Sequence, residues 1–214
     1  MDMRKAFRES PALAILRNIP LEKTIPYAQA AFAGGIRLFE VAMNSRDGLE
    51  QIERLRKHFG DSAGVGAGTV VNVDLAKAAL AAGAAFLLAP SCPPEMLAWC
   101  AESRTAFLPG VLTPSEAGLC LASGFKVMKL FPAGDMPPGY VKSLKGPFND
   151  SDYVAIGGVT PANAPDFIRA GYLGVGLGGN LMPRDCLENN GWDKAATGVR
   201  KMLAAMEEAA CATK

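Results

Sequence analysis

Only one of the 214 residues is a histidine, His58, and it sits in the charged stretch Glu53-Arg54-Leu55-Arg56-Lys57-His58, which reads as the solvated end of a helix. That excludes a catalytic triad built on histidine and a histidine-rich zinc site. The five cysteines, Cys92, Cys100, Cys120, Cys186 and Cys211, are odd in number, lack CxxC spacing and have no histidine beside them. They read as reduced thiols of a cytoplasmic protein rather than as a disulfide framework or a metal site. Charge of one sign is missing as well: 22 Lys and Arg face 21 Asp and Glu, a formal net charge of +1. No general field therefore draws in nucleic acid or an anionic membrane, and any anion site has to be assembled locally. No apolar run reaches the roughly 18–20 uninterrupted residues that cross a bilayer. The first ten residues mix charge with few apolar side chains and have no hydrophobic core of the kind a signal peptide carries. A soluble, cytoplasmic protein with neither metal nor cofactor is expected.

Half of the residues are apolar, enough for one substantial core. The apolar residues recur in eight short runs, at 12–16, 38–43, 64–67, 86–89, 106–108, 127–131, 153–156 and 174–177. Each run is followed by small or turn-forming residues and then by a segment of helical period. The runs lie about 20–26 residues apart, room for a strand, a three-turn helix and two short loops. Helices are predicted over 21–33, 47–59, 73–82, 94–102, 114–123, 139–144, 162–170 and 192–209. Gly34, Gly60, Gly83, Gly124 and Gly171 follow helical patterns, where a left-handed C-cap favours glycine. Asn72, Thr113 and Thr160 precede them as N-caps, with Pro114 and Pro161 suited to a first turn. Eight alternations without a linker indicate a single-domain (β/α)8 TIM barrel over residues 1–214, with an open doubly wound sheet as the structural alternative.

Barrel enzymes carry their chemistry at the C-terminal ends of the strands, and three charges fall there. Arg17 ends the first run, Glu40 lies inside the second and Lys129 inside the sixth. A charge within an apolar parallel strand is costly unless it is paired or hydrogen-bonded. One reading of Lys129 and Glu40 is thus a structural ion pair. The other is chemical: a desolvated lysine near a second cation such as Arg17 is freed as an amine that attacks a ketone, and a carboxylate nearby shuttles the protons. Lys plus Glu suffices for this without metal.

Two glycine pairs, Gly157-Gly158 and Gly178-Gly179, follow the seventh and eighth runs. Bare N–H groups there make an anion cradle, and barrels often bind phosphate at this position; a single pair would more often be a turn. Gly66-Ala67-Gly68-Thr69 after the third run reads either as a holder for a substrate carboxylate or as a helix cap. Arg17 would supply a bidentate charge for the same carboxylate.

Further motifs join these: Ile15-Leu16-Arg17, Gly34-Gly35-Ile36 with Phe39-Glu40-Val41, Gly66-Ala67-Gly68-Thr69-Val70, Leu108-Pro109-Gly110-Val111 with Thr113-Pro114-Ser115-Glu116, Lys129-Leu130-Phe131-Pro132-Ala133, Lys145-Gly146-Pro147-Phe148 and Gly157-Gly158-Val159. In this order they resemble the KDPG/KDPGal aldolase family, the bacterial 2-keto-3-deoxy-6-phosphogluconate and phosphogalactonate aldolases, over about residues 12–183. The resemblance implies that Lys129 forms a Schiff base with a C2 ketone and that Glu40 is the acid/base. It places Arg17 and Thr69 at the carboxylate, Gly157, Gly158, Gly178 and Gly179 around the 6-phosphate, and Pro90, Phe131 and Ile156 among the substrate contacts. It also implies a homotrimer, products pyruvate and glyceraldehyde 3-phosphate, and 4-hydroxy-2-oxoglutarate cleavage as a related activity. A phosphate-binding barrel isomerase or decarboxylase is the rival enzyme, and an idle barrel in which Lys129 and Glu40 merely pair is the rival non-enzyme.

The departures from the family pattern concern the substrate. Ile156 stands where phosphogluconate enzymes often have threonine, and Asn44 where they have arginine, which leans toward the galactonate branch. Met182-Pro183-Arg184-Asp185 and Lys145-Gly146-Pro147-Phe148 lean toward the phosphogluconate and 4-hydroxy-2-oxoglutarate side. Gly179 stands where relatives commonly have serine, so that Asn180 would have to replace one phosphate hydrogen bond.

Overall fold

The computed structural model describes residues 1–137 and 139–212. Among the described residues nine parallel strands form one sheet: β1 Ala12–Leu16, β2 Leu38–Ala42, β3 Gly64–Gly68, β4 Leu87–Leu88, β5 Phe107–Leu108, β6 Gly110–Val111, β7 Val127–Leu130, β8 Asp152–Ile156 and β9 Gly174–Leu177, all but β5 and β6 separated by helices. Their order around the sheet is β5-β4-β3-β2-β1-β9-β8-β7-β6. The two ends, β5 and β6, are one stretch of chain divided at Pro109, which has no N–H to donate to a ladder. Pro109 still accepts, its carbonyl taking the N–H of Lys129 at 2.9 Å, and the sheet closes on itself through this residue. The expected eight staves are therefore present, the fifth of them broken in two, and the open doubly wound alternative is ruled out.

The helices are α1 Met3–Glu9, α2 Thr24–Gly34, α3 Gly48–Phe59, α4 Val73–Ala81, α5 Pro94–Glu102, α6 Pro114–Ala122, α7 Tyr140–Lys145, α8 Ala164–Ala170, α9 Arg184–Glu188 and α10 Trp192–Cys211. Eight match the expected segments. Asn72 caps α4 by accepting from Leu75 N, and Thr113 caps α6 in a reciprocal box with Glu116. Two expected caps move. The left-handed residue after α2 is Gly35, at φ 115°, while Gly34 ends the helix where a side chain would strike Val199. Thr160 sits four residues before the start of α8, in a reciprocal turn with Asn163, the residue at the cap position. His58 lies exposed in the last turn of α3, as its charged neighbours indicated, and all five cysteines are free thiols. Among the described residues no helix is long and apolar enough to cross a membrane.

α1 and α9 are additions that the periodicity did not reveal. Capped by the Asp2 side chain and tied by Arg4 to Asp152 at 2.8 Å, α1 presses Met3 and Phe7 into an interior cluster with Leu13, Leu38, Phe86, Leu108, Val127 and Val154. It is a plug in the floor of the barrel, the end where the strands begin. A second, larger core fills the layer between the strands and the outer helices. Phe7 is wholly buried, so Phe7→Ala should cost about 3–5 kcal/mol of stability. A denaturation midpoint unchanged from wild type would show that the plug contributes nothing to the fold.

Candidate active site

Strand side chains alternate between the two faces, and the packing of Leu38 and Val127 in the interior fixes what comes next. Glu40 and Lys129, each two residues further on, also point inward, toward the mouth end of the barrel. They are among the few charged or polar side chains that are buried, at 1% and 3% exposure. Burial is the main influence on both. It pushes the Glu40 carboxyl up from its ordinary value, against the opposing pull of the Lys129 and Arg17 charges. It pushes the Lys129 amine down, assisted by Arg17 and opposed by Glu40. Oε2 of Glu40 is buried without a hydrogen-bond partner, a costly condition for a group serving only to hold the fold. The Lys129 ammonium instead lies over the face of Phe131, 4.9 Å from the ring centroid. Phe131 is itself exposed at 38% and is joined to Pro132 by a cis peptide bond.

Above these two residues the mouth holds a cavity of about 260 Å³ lined by Ile15, Arg17, Phe131, Ile156, Gly157, Gly158, Val159, Gly176, Gly178, Gly179 and Asn180. Both glycine pairs thus meet on one cavity, together with the Arg17 guanidinium, Phe131 and Ile156. Gly157 and Gly158 have φ values of 88° and 73°, a region closed to most side chains. A Cβ on Gly158 would also press on Gly134, whose N–H is donated to the Gly157 carbonyl at 2.8 Å. Gly178 and Gly179 differ: neither has a left-handed φ and neither would crowd an added Cβ.

For Thr69 the helix-cap reading falls. Asn72, not Thr69, caps the following helix, and Thr69 holds φ 60°, which is strained for a β-branched residue. Its hydroxyl accepts from the Arg17 guanidinium at 3.3 Å. Lys129, Glu40, Thr69 and Pro90 lie off the lining of the cavity. The first two sit below it, and the main chain of Pro90 packs on Gly110, the register partner of Lys129. Lys145 stands apart, paired with Asp152 at 2.8 Å at the start of β8. The sequence reading missed Ile15, Val159 and Gly176 as lining residues. Ile15 was within reach of it, since a residue two before Arg17 on a strand shares its face.

Beyond this geometry, the chain as a whole matches one set of known proteins. The family model for KDPG and KHG aldolases covers residues 3–197. The chain belongs to the KDPG and KHG aldolase family. As an aldolase it is a carbon–carbon lyase. It is 32% identical to the 2-dehydro-3-deoxy-6-phosphogalactonate aldolase of Escherichia coli K12 over 80% of this chain and 84% of that one. It is 33% identical to the KHG/KDPG aldolase of the same strain, over 90% and 91%. Among solved structures, the KDPG aldolase of Legionella pneumophila with pyruvate captured as a covalent carbinolamine superposes with a TM-score of 0.86. The two are 28% identical, with 94% of this chain and 98% of that one covered.

Proposed function

We propose that this aldolase cleaves a 2-keto-3-deoxy-6-phosphoaldonate to pyruvate and D-glyceraldehyde 3-phosphate through a Schiff base on Lys129. The observation that carries this reading is the burial of Lys129 and Glu40 together beneath a cavity rimmed by both glycine pairs. Unprotonated Lys129 attacks the C2 ketone to give a carbinolamine, the intermediate captured with pyruvate in the Legionella relative. Loss of water gives the iminium. Glu40, directly or through one water, then takes the proton of the C4 hydroxyl; the C3–C4 bond breaks and its electrons pass into the iminium, forming an enamine as the aldehyde leaves. Protonation of the enamine at C3 and hydrolysis release pyruvate and restore the amine. Arg17, held by Thr69, takes the substrate carboxylate, and the N–H groups around Gly157, Gly158, Gly178 and Gly179 take the phosphate. Pro90, Phe131 and Ile156 shape the walls, and no metal or cofactor takes part.

Measured kcat/KM on the gluconate and galactonate epimers and on 4-hydroxy-2-oxoglutarate tests this. Turnover of a phosphorylated epimer at least about tenfold better than of 4-hydroxy-2-oxoglutarate is expected, since a phosphate gains several charge-assisted hydrogen bonds. Turnover of the unphosphorylated acid alone would make this a 4-hydroxy-2-oxoglutarate aldolase, and pyruvate release from none of the three would overturn the reading. The cavity's open space at Gly179 gives a companion prediction. Gly179→Ser should fold normally and lower KM for the phosphorylated substrate roughly threefold to tenfold, the effect of one added hydrogen bond, whereas an unchanged KM would move the phosphate away from this loop. The proposal includes the single domain that the length and the eight unlinked alternations indicate and the homotrimer that the resemblance implies; light scattering on the purified protein checks the latter.

A further inference from the structure

Three glycines, Gly64, Gly66 and Gly68, occupy the inward-facing positions of β3, and each makes room for a side chain from a neighbouring element. A Cβ on Gly64 would lie 2.9 Å from Leu38 Cδ2, and one on Gly66 would lie 2.4 Å from Phe86 Cε2. On Gly68 it would fall 1.5 Å from Oε1 of Glu40, 2.2 Å from Cδ and 2.6 Å from Cγ. None of the three has a left-handed φ, so the backbone does not require glycine here. What requires it is the space. Glu40 leaves β2 and lays its carboxylate across β3 on the bare Cα of Gly68. The next residue in the chain is the strained Thr69 that holds Arg17. The top of β3 thereby sets two functional groups at once, one through a missing side chain and one through a hydroxyl.

We propose that Gly68 is a positioning residue for the reaction, the absence of its side chain being what seats the Glu40 carboxylate deep in the barrel beside the Schiff-base lysine. The proposal rests on the reading of Glu40 as the acid/base. With any side chain at position 68 the carboxylate is displaced by more than about an ångström, because its Oε1 and Cδ, and the Cγ that carries them, lie 1.5, 2.2 and 2.6 Å from the new Cβ. A misplacement of that size typically costs on the order of 100-fold in rate.

Gly68→Ala should therefore lower kcat by about 100-fold while leaving KM within roughly threefold, because the cavity that holds the phosphate is built from other residues. The limb of the pH–rate profile that belongs to Glu40 should shift to lower pH, since a carboxylate pushed toward the mouth is better hydrated and loses part of its upward shift. Glu40→Asp, one methylene shorter, should cost less in the Gly68→Ala background than in wild type. A Gly68→Ala variant with wild-type kcat and pH profile would overturn the proposal, as would penalties that simply multiply in the double variant.

A thermal-denaturation cycle keeps the test open if Gly68→Ala proves too unstable to assay. Gly68→Ala should lower Tm in the wild-type background but leave it almost unchanged in Glu40→Ala, where the obstructing carboxylate is gone. Equal losses in both backgrounds, or failure to fold in both, would show that the backbone and not Glu40 demands glycine. This cycle does not depend on catalysis, so it separates the fate of the positioning role from that of the acid/base reading, which Glu40→Gln tests alone.

Discussion

Sodium borohydride added in the presence of pyruvate should leave a reduced, covalent three-carbon adduct on Lys129 and on no other lysine. An ordinary lysine, at its usual value of 10.5, is almost wholly protonated at neutral pH, and a protonated amine has no lone pair with which to attack a carbonyl. Burial lowers the value for Lys129 against the upward pull of the Glu40 charge, and the Arg17 charge adds to the lowering; burial and Arg17 both favour the free amine. The iminium formed with pyruvate is reduced to a secondary amine that survives digestion, so peptide mass spectrometry locates it. Lys129→Ala should abolish the adduct and lower kcat/KM by at least about 10⁴-fold, as loss of a covalent nucleophile does elsewhere. An unlabelled wild-type protein, or a label on a different lysine, would defeat the mechanism. Full cleavage activity in Lys129→Ala would do the same.

For Glu40→Gln the expected result has two parts. Activity should fall by about 10²–10⁴-fold, the usual contribution of a positioned proton carrier, while the borohydride adduct on Lys129 still forms, more slowly. Stability should move in the opposite direction. Because burial raises the Glu40 carboxyl above its ordinary value of 4.5, the folded protein holds that proton more tightly than the unfolded chain. The stability contributed by the group is complete below 4.5 and is lost as pH rises through the raised folded-state value. Glutamine imitates the protonated form and does not lose it. The Tm of Glu40→Gln should therefore equal that of wild type near pH 4 and exceed it near pH 8, by roughly 2–4 °C for each kcal/mol recovered. A Tm advantage that is the same at both pH values would mean that Glu40 is not raised. Such a trade of stability for activity is usual where a charge is kept in a dry site for chemistry.

Much of the fold was legible because its signals are local. The apolar runs alternate with helical periods, and caps such as Asn72 and Thr113 act within a few residues of their own position. Where the reading missed, the cause lay in contacts between distant parts of the chain. α1 is seven residues long and shows too few apolar positions for a period to stand out; only the barrel floor makes Met3 and Phe7 a plug. Gly34 and Gly35 are interchangeable as sequence signals, and the packing of Gly34 on Val199 decides between them. The fifth predicted run stops just before Pro109, but the strand resumes after it at Gly110–Val111, and the Pro109 carbonyl lets the barrel close between the two pieces.

The candidate site divides in the same way. Lys129 and Glu40 were visible because a charge in an apolar strand is energetically conspicuous, and the glycine pairs because they follow strand ends. By itself the sequence determined the staves and which charges and glycines stand at their C-terminal ends, since period and side-chain type are properties of neighbouring residues, whereas strands buried on both sides carry no alternation to mark the inward face. Only the tertiary structure decided that Glu40 lies on Gly68, that Thr69 holds Arg17 rather than capping a helix, and that Ile15 and Val159 wall the cavity. Those facts depend on the stagger between strands, which the closed sheet sets as a whole.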